Sequence, residues 1–391
     1  MMKGVWRIPT MKTTRDWRKR TLEFNAVLLC LFTLVLMPTV AEAAPSRLKT
    51  QNVFLIVSDG FRWQEVFNGA EEALMAKTNG GVKDVKALRA EFWRETPESR
   101  RQAILPFFWS EIAQHGQLYG NQNKGSVARV TNGKKFSYPG YNELFAGFAD
   151  PRIDTNDKIP NPNVTVFEWL QGRPGLRRRV AAFGSWDAFP YILNRERSRL
   201  PVWPAWETKF EDKIFAPPKL LLDLMRDTTP LWPDLILDSF LFQAALDHVK
   251  KQKPRVVFLG FGETDEWAHD KRYDLYLQTA KNVDRFVKTL WDTLQAMPQY
   301  RDKTTFIITA DHGRGSGKTW TDHGDKVEGA EGIWIAIIGP DTPALGERTR
   351  TETITQGQIA ATIAALLGED YRAAFPQAAP AIADVLGPNQ K

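Results

Sequence analysis

Asn52-Val-Phe-Leu-Ile-Val-Ser-Asp-Gly60 is the stretch that decides the fold class of this 391-residue chain. Its centre, Val53–Val57, is wholly apolar without the alternation of a half-wet strand. That is the composition of a parallel strand buried on both faces. An aspartate directly after such a strand faces the crevice in which open α/β sheets bind ligands. The same grammar recurs twice downstream. Arg255–Gly260 (RVVFLG) leads into Glu263 and Asp265, and Thr304–Ala310 (TTFIITA) leads into Asp311-His312. Three strand ends therefore offer carboxylate or imidazole groups to one edge.

Around these strands the pattern alternates as a doubly wound, mostly parallel α/β sheet flanked by helices requires. A helix is expected from Phe61 to Phe67, a strand over Arg179–Gly184, and amphipathic helices over Leu235–Lys250 and Tyr273–Leu294. A late strand is expected over Gly332–Gly339 and a closing helix over Ile354–Leu367. The charged stretch Glu71–Arg101 reads as a surface excursion. The Pro- and aromatic-rich stretch at about 186–232 reads as a small cap insertion over the crevice.

Three of the five histidines fall beside or shortly after an aspartate, in Asp265-Glu-Trp-Ala-His269, Asp311-His312-Gly313 and Asp322-His323-Gly324. Taken singly, Asp-Gly and Asp-His-Gly also serve as turns. Taken together at strand ends they supply the nitrogen and oxygen donors of a hydrolytic zinc site. Ser137-Tyr-Pro-Gly-Tyr141 reads as a helix start, with Ser137 as N-cap, Pro139 in the first turn and the helix running to about Phe145. A helix N-terminus is also a natural phosphate site. His115 and His248 lie near helix ends and read as structural.

The order of these motifs resembles the alkaline phosphatase superfamily, particularly its nucleotide pyrophosphatase/phosphodiesterase branch. The parts are a strand-end aspartate, a Ser or Thr before x-Pro, Asp-x-x-x-His, Asp-His-Gly and a lone His, and the resemblance runs from about Val53 to Leu367. It implies an alkaline-phosphatase-like catalytic domain over 45–391 holding two divalent ions, most simply Zn2+. Asp59, Asp311 and His312 would hold one ion with the oxygen of Ser137, while Asp265, His269 and His323 would hold the other. Ser137 would be the nucleophile of a phosphoric ester hydrolase, forming a phosphoseryl intermediate. Formylglycine sulfatases require Arg where this chain has Tyr141. The cationic pair with which related monoesterases grip phosphate is replaced by Ser185-Trp186-Asp187, which favours a less charged ester. Asn156, Asn161 and Asn163 crowd the region where the diesterase branch carries a phosphoryl-binding asparagine, and Asn163 is the expected one. Lys318 and Trp320 are further expected substrate contacts. The alternatives are a catalytically silent metal-binding protein of the same fold, or a periplasmic phosphoryl transferase or sulfatase-like hydrolase.

The N-terminus carries its own signal. Lys12, Arg15, Arg18, Lys19 and Arg20 precede the apolar run Ala26–Leu36, and Ala41-Glu-Ala43 fits a cleavage site, so residues 1–44 read as a cleaved signal peptide. Cys30, the single cysteine, lies in that run. Residues 1–44 hold seven Lys/Arg and three Asp/Glu, so the formal +6 of the whole chain falls to +2 after processing. The basic balance thus belongs to the leader, and no nucleic-acid polymer is expected as partner. The expectation is a periplasmic or secreted protein, without a stable membrane anchor, acting on a small phosphoester.

Overall fold

The run 52–58 forms the strand β1 (Asn52–Ser58), buried at every residue. Its side chains divide by parity. Val53, Leu55 and Val57 enter one apolar cluster, and Phe54 and Ile56 enter another on the opposite face. A strand with a core on both sides has no polar face, which explains the continuous apolar run. The computed structural model describes residues 48–209 and 214–387. The expected leader, 1–44, and Cys30 within it lie outside the described residues.

The main sheet also contains β2 (Gln117–Tyr119), β3 (Val180–Gly184), β4 (Val202–Pro204), β5 (Val256–Phe261), β6 (Thr304–Thr309), β7 (Ile335–Ile338) and β8 (Gly346–Glu347). Its order is β8-β2-β7-β6-β1-β5-β3-β4. Strand β1 pairs in parallel with both β5 and β6, in registers such as Leu55 with Phe258 and Leu55 with Ile307. Only β7 runs against its neighbours β6 and β2. A second, three-stranded sheet joins Ala128–Arg129, Gly332–Ile333 and Ile354–Thr355. The expected late strand Gly332–Gly339 therefore divides between the two sheets.

Helices cover both faces, as a doubly wound sheet demands. On one side lie α1 (Ser137–Ala146) and, near the chain's end, α5 (Gln358–Leu366). On the other lie α2 (Asp238–Gln252) and α4 (Tyr273–Ala296), with α3 (Glu263–His269) leading into α4. Helix α1 is fixed to β5 by aromatic packing, with Phe145 and Phe258 at 4.9 Å and an interplanar angle of 77°. Edge-to-face pairs of this kind contribute about 0.5–1.5 kcal/mol beyond their buried area. The strand leading to Asp265 and the helix beginning at Ser137 are thereby held as one unit.

Two stretches contribute more to the core than their composition suggests. Within the expected cap insertion at about 186–232, Val202–Pro204 forms the outermost strand of the main sheet, pairing in parallel with β3. Trp203, Leu221 and Met225 are buried in the main core. Likewise 71–101 is no mere excursion: helices Val85–Phe92 and Pro97–Ile104 bury Leu88, Phe92 and Ile104 in that core. Among the described residues, no helix is long and apolar enough to cross a membrane.

Candidate metal centre

The carboxyl ends of the three central strands converge on one cluster. Asp59 follows β1, Asp265 lies in the first turn of α3 just beyond β5, and Asp311-His312 follow β6. His312 Nε2 stands 3.2 Å from Asp59 Oδ1, 3.6 Å from Asp311 Oδ2 and 3.7 Å from Asp265 Oδ1. His323 Nε2 is 3.7 Å from the same Asp265 oxygen and 2.9 Å from His269 Nε2. His269 Nε2 in turn is 3.2 Å from Asp265 Oδ2. Two donor sets with metal-ligating spacing result, Asp59/Asp311/His312 and Asp265/His312/His323. The six expected aspartate and histidine ligands are thus brought together, with Asp265 and His312 adjoining both groups.

The electrostatics of the cluster call for added positive charge. Asp59 and Asp311 are driven well above the ordinary carboxylate range, first by burial and then by neighbouring carboxylates, Asp265 beside Asp59 and Asp59 beside Asp311. Burial also acts to raise Asp265, but the Arg314 charge and a hydrogen bond with His269 hold it well below that range. His323 is pushed down to about 2, chiefly by burial and then by His312, so its imidazole is neutral and has a lone pair to offer. His312 Nδ1 lies 2.9 Å from the Gly313 carbonyl, which assigns the proton to that nitrogen and leaves Nε2 facing the carboxylates.

The fit to cations rests on atoms left without partners. Asp59 Oδ1, Asp311 Oδ2, His312 Nε2 and His323 Nδ1 are all buried and none makes a hydrogen bond. Four such groups in one cluster would be costly in a finished core, at about 1–3 kcal/mol each. Dications coordinated by three of them, Asp59 Oδ1, Asp311 Oδ2 and His312 Nε2, remove that cost and offset the crowded negative charge.

Surrounding residues hold the donors in place. Gly60 N donates to Asp311 Oδ1 at 3.1 Å, Tyr141 Oη to Asp59 Oδ2 at 3.2 Å, and Gln356 Nε2 to the Asp311 carbonyl at 2.8 Å. Gly60 adopts φ +58°, and a Cβ there would stand 2.6 Å from Asp265 Oδ1 and 2.8 Å from Arg314 Nε. Gly140 permits a second close approach, since a Cβ at that position would meet the Asp311 carbonyl. Helix α1 can therefore lie directly against the strand end.

Ser137 is the first residue of that helix and is buried. Its expected capping role is not observed: Phe136 occupies the N-cap position, and the Asn156 side-chain oxygen accepts from Tyr138 N at 2.9 Å. The Ser137 hydroxyl is thus not consumed by its own helix. It lies i−3 from Gly140 and i−4 from Tyr141, on the α1 face that those two residues turn toward Asp311 and Asp59. The turn before it is tied to the histidine loop through Gly324 N, which donates to the Lys135 carbonyl at 3.0 Å.

Three expected substrate contacts are differently placed. Asn163 is buried, and its amide donates to Asn142 and Asp150 at 2.9 and 2.8 Å and accepts from Arg152, so it is a structural knot with no free donor. Asn156 is instead bonded to the backbone amide that follows Ser137. Trp320 is fully buried against Tyr273 and Tyr276. Lys318 sits exposed on the short turn Gly317–Thr319 and touches none of the site residues named above.

The residue that the sequence did not disclose is Arg314. It is 1 % exposed, and its guanidinium binds the Asp265 carboxylate, the Asp265 carbonyl at 3.1 Å and the Thr321 carbonyl. Nothing in Asp311-His-Gly-Arg314 signals burial, because an arginine two residues beyond a strand-end histidine reads equally as a solvated loop residue.

Comparison with known proteins agrees with this architecture. A family model described as the Metalloenzyme superfamily matches residues 237–371, which include Asp265, Asp311, His312 and His323. No curated protein matches the sequence. Among solved structures, Ps i-CgsB is similar at 16 % identity over 85 % of this chain and 75 % of that one, with a TM-score of 0.51. BT1596, a 2-O GAG sulfatase, is similar at 13 % identity over 86 % and 74 %, with a TM-score of 0.51. At such identities the likeness establishes the fold, a mostly parallel, helix-flanked, alkaline-phosphatase-like sheet.

Proposed function

We propose that this protein is an exported, metal-dependent phosphoric ester hydrolase, a phosphodiesterase or phosphatase, that uses Ser137 as nucleophile. The observation that carries the reading is the set of unpartnered buried ligand atoms on Asp59, Asp311 and His312 at the edge where α1 begins. Asp59, Asp311 and His312 would hold one divalent ion together with Ser137 Oγ, and Asp265, His269 and His323 a second, zinc suiting the nitrogen and oxygen donors. Such ions supply Lewis-acid charge, lowering the pKa of a hydroxyl and offsetting charge on phosphoryl oxygens.

The chain's own residues account for the remaining steps. Ser137 Oγ forms a bond to phosphorus as the bond to the ester oxygen breaks, the Ser137 proton passing to solvent and the departing alkoxide taking one up. Water then attacks the phosphoseryl ester, releasing phosphate or a phosphomonoester and restoring the Ser137 hydroxyl. Asn156, whose carbonyl oxygen already holds the Tyr138 amide, has its Nδ2 available to grip a phosphoryl oxygen. The basic leader, the apolar run and Ala41-Glu-Ala43 support export.

The test is hydrolysis of bis(4-nitrophenyl) phosphate and 4-nitrophenyl phosphate before chelation, after chelation and after zinc is restored. Activity should vanish and return, and Ser137→Ala should abolish it while zinc content is unchanged. Full activity of the metal-loaded Ser137→Ala protein would refute the covalent route.

A further inference from the structure

A cavity of about 360 Å³ opens at the carboxyl ends of β3 and β4, lined by Asp187, Tyr191, Arg195, Trp206 and Glu207. Those strands lie one and two places beyond β5 in the sheet, so at about 4.8 Å per strand the cavity sits about 10 Å along the edge from Asp265. Two chain segments lead from the metal centre to its walls. Asn156, bonded to the amide after Ser137, begins the segment that runs through Lys158 to Pro160 in the cavity wall. On the other side, Trp267 of α3 packs on Trp232 at 4.8 Å, next to Pro233 in the same wall.

The lining chemistry is selective. Tyr191 and Trp206 offer flat aromatic bodies. The charged groups of the lining are Asp187, which pairs with Lys158 just outside it at 2.6 Å, Arg195, whose Nη1 meets both Glu207 oxygens at 3.0 Å, and Glu196. Each pair is internally neutral and Glu196 adds a carboxylate, so among the described residues the lining holds no unpaired cation for a second phosphate. The same pairs still present acceptor oxygens, and Arg195 keeps further N–H donors beyond the Nη1 group used for Glu207. Closely alternating donors and acceptors between aromatic walls suit a ligand with many hydroxyls and no charge.

We propose that this cavity is the leaving-group subsite of the hydrolase and takes a neutral, hydroxyl-rich glycosyl unit. The assignment rests on the hydrolase reading above. The test compares kcat/KM for glucose 1-phosphate with that for 4-nitrophenyl phosphate, using zinc-loaded protein. Trp206→Ala and Glu207→Gln should each lower this selectivity ratio about tenfold, the scale of losing one well-placed contact. Glu207→Gln keeps the side-chain volume, so it reports even if Trp206→Ala does not fold. Binding of methyl α-glucoside, read by saturation-transfer NMR, requires no turnover and should weaken in the same variants. If neither ester is hydrolysed but the glucoside binds and the variants weaken it, the hydrolase reading fails while the glycosyl site stands. A selectivity ratio and glucoside binding unmoved in Glu207→Gln and in any folded Trp206→Ala would overturn the proposal. So would a clear preference for adenosine monophosphate or choline phosphate over glucose 1-phosphate.

Discussion

Replacing Arg314 with methionine should cost the empty protein more stability than the metal-loaded protein. Arg314 is buried, pairs with Asp265 and donates to two backbone carbonyls, so its removal leaves a buried carboxylate beside Asp59 without a counter-charge. Breaking a buried pair by deleting one partner costs about 3–5 kcal/mol. At roughly 2.1 cal/mol/K of unfolding entropy per residue, the unit Arg47–Lys391 has a slope of about 0.7 kcal/mol per kelvin, which converts that loss into a melting-point drop of about 4–7 °C. Zinc bound by Asp265 would restore the missing positive charge. Differential scanning calorimetry of wild type and Arg314→Met, each with chelator and with zinc, should therefore show a gap in chelator that narrows by half or more in zinc. An equal gap in both conditions, or no gap in chelator, would refute the idea that Arg314 and the cation balance the same carboxylate.

Other outcomes follow from individual contacts. Gly60→Ala combines a left-handed φ with a methyl group set against Asp265 and Arg314, so zinc affinity measured by competition with a chromogenic chelator should fall at least tenfold. Asn156→Ala should lower kcat/KM by about ten- to a hundredfold with little change in melting point, whereas Asn163→Ala should lose about 1–3 kcal/mol of stability, read by urea unfolding, because it removes buried hydrogen bonds to Asn142 and Asp150. His248, buried between Phe183 and Phe215, is pushed down to about 4 by burial. The unfolded chain binds a proton there near pH 6.5 and the native chain near pH 4, so this stability is complete above pH 6.5 and is lost as pH falls toward 4. His248→Phe should flatten that part of the urea-midpoint profile, and an unchanged slope between pH 6.5 and 4 would contradict it.

The parts legible in the sequence were those whose physics is local. Asn52–Ser58, Val256–Phe261 and Thr304–Thr309 advertise two-sided burial through apolar centres without polar alternation, and an acidic residue near each end then marks the working edge. Strand β4 escaped notice because three residues containing Trp203 and Pro204 carry no periodicity; only pairing with β3 makes them a strand. Asn156 and Asn163 differ in partners rather than in sequence context, and Asp150 and Asn142, which commit Asn163, become its neighbours only in the fold. Arg314 and Trp320 illustrate the same limit from opposite sides. One reads as a loop cation and proves to be a buried clamp, while the other reads as a substrate contact and proves to be core.

The most direct test of the account is an anomalous difference map collected at the zinc edge from zinc-soaked crystals. The account predicts two peaks, one against Asp59, Asp311 and His312 and one against Asp265, His269 and His323, with Ser137 Oγ beside the first. Peaks elsewhere on the molecule, or none at these residues in zinc-replete crystals, would contradict it.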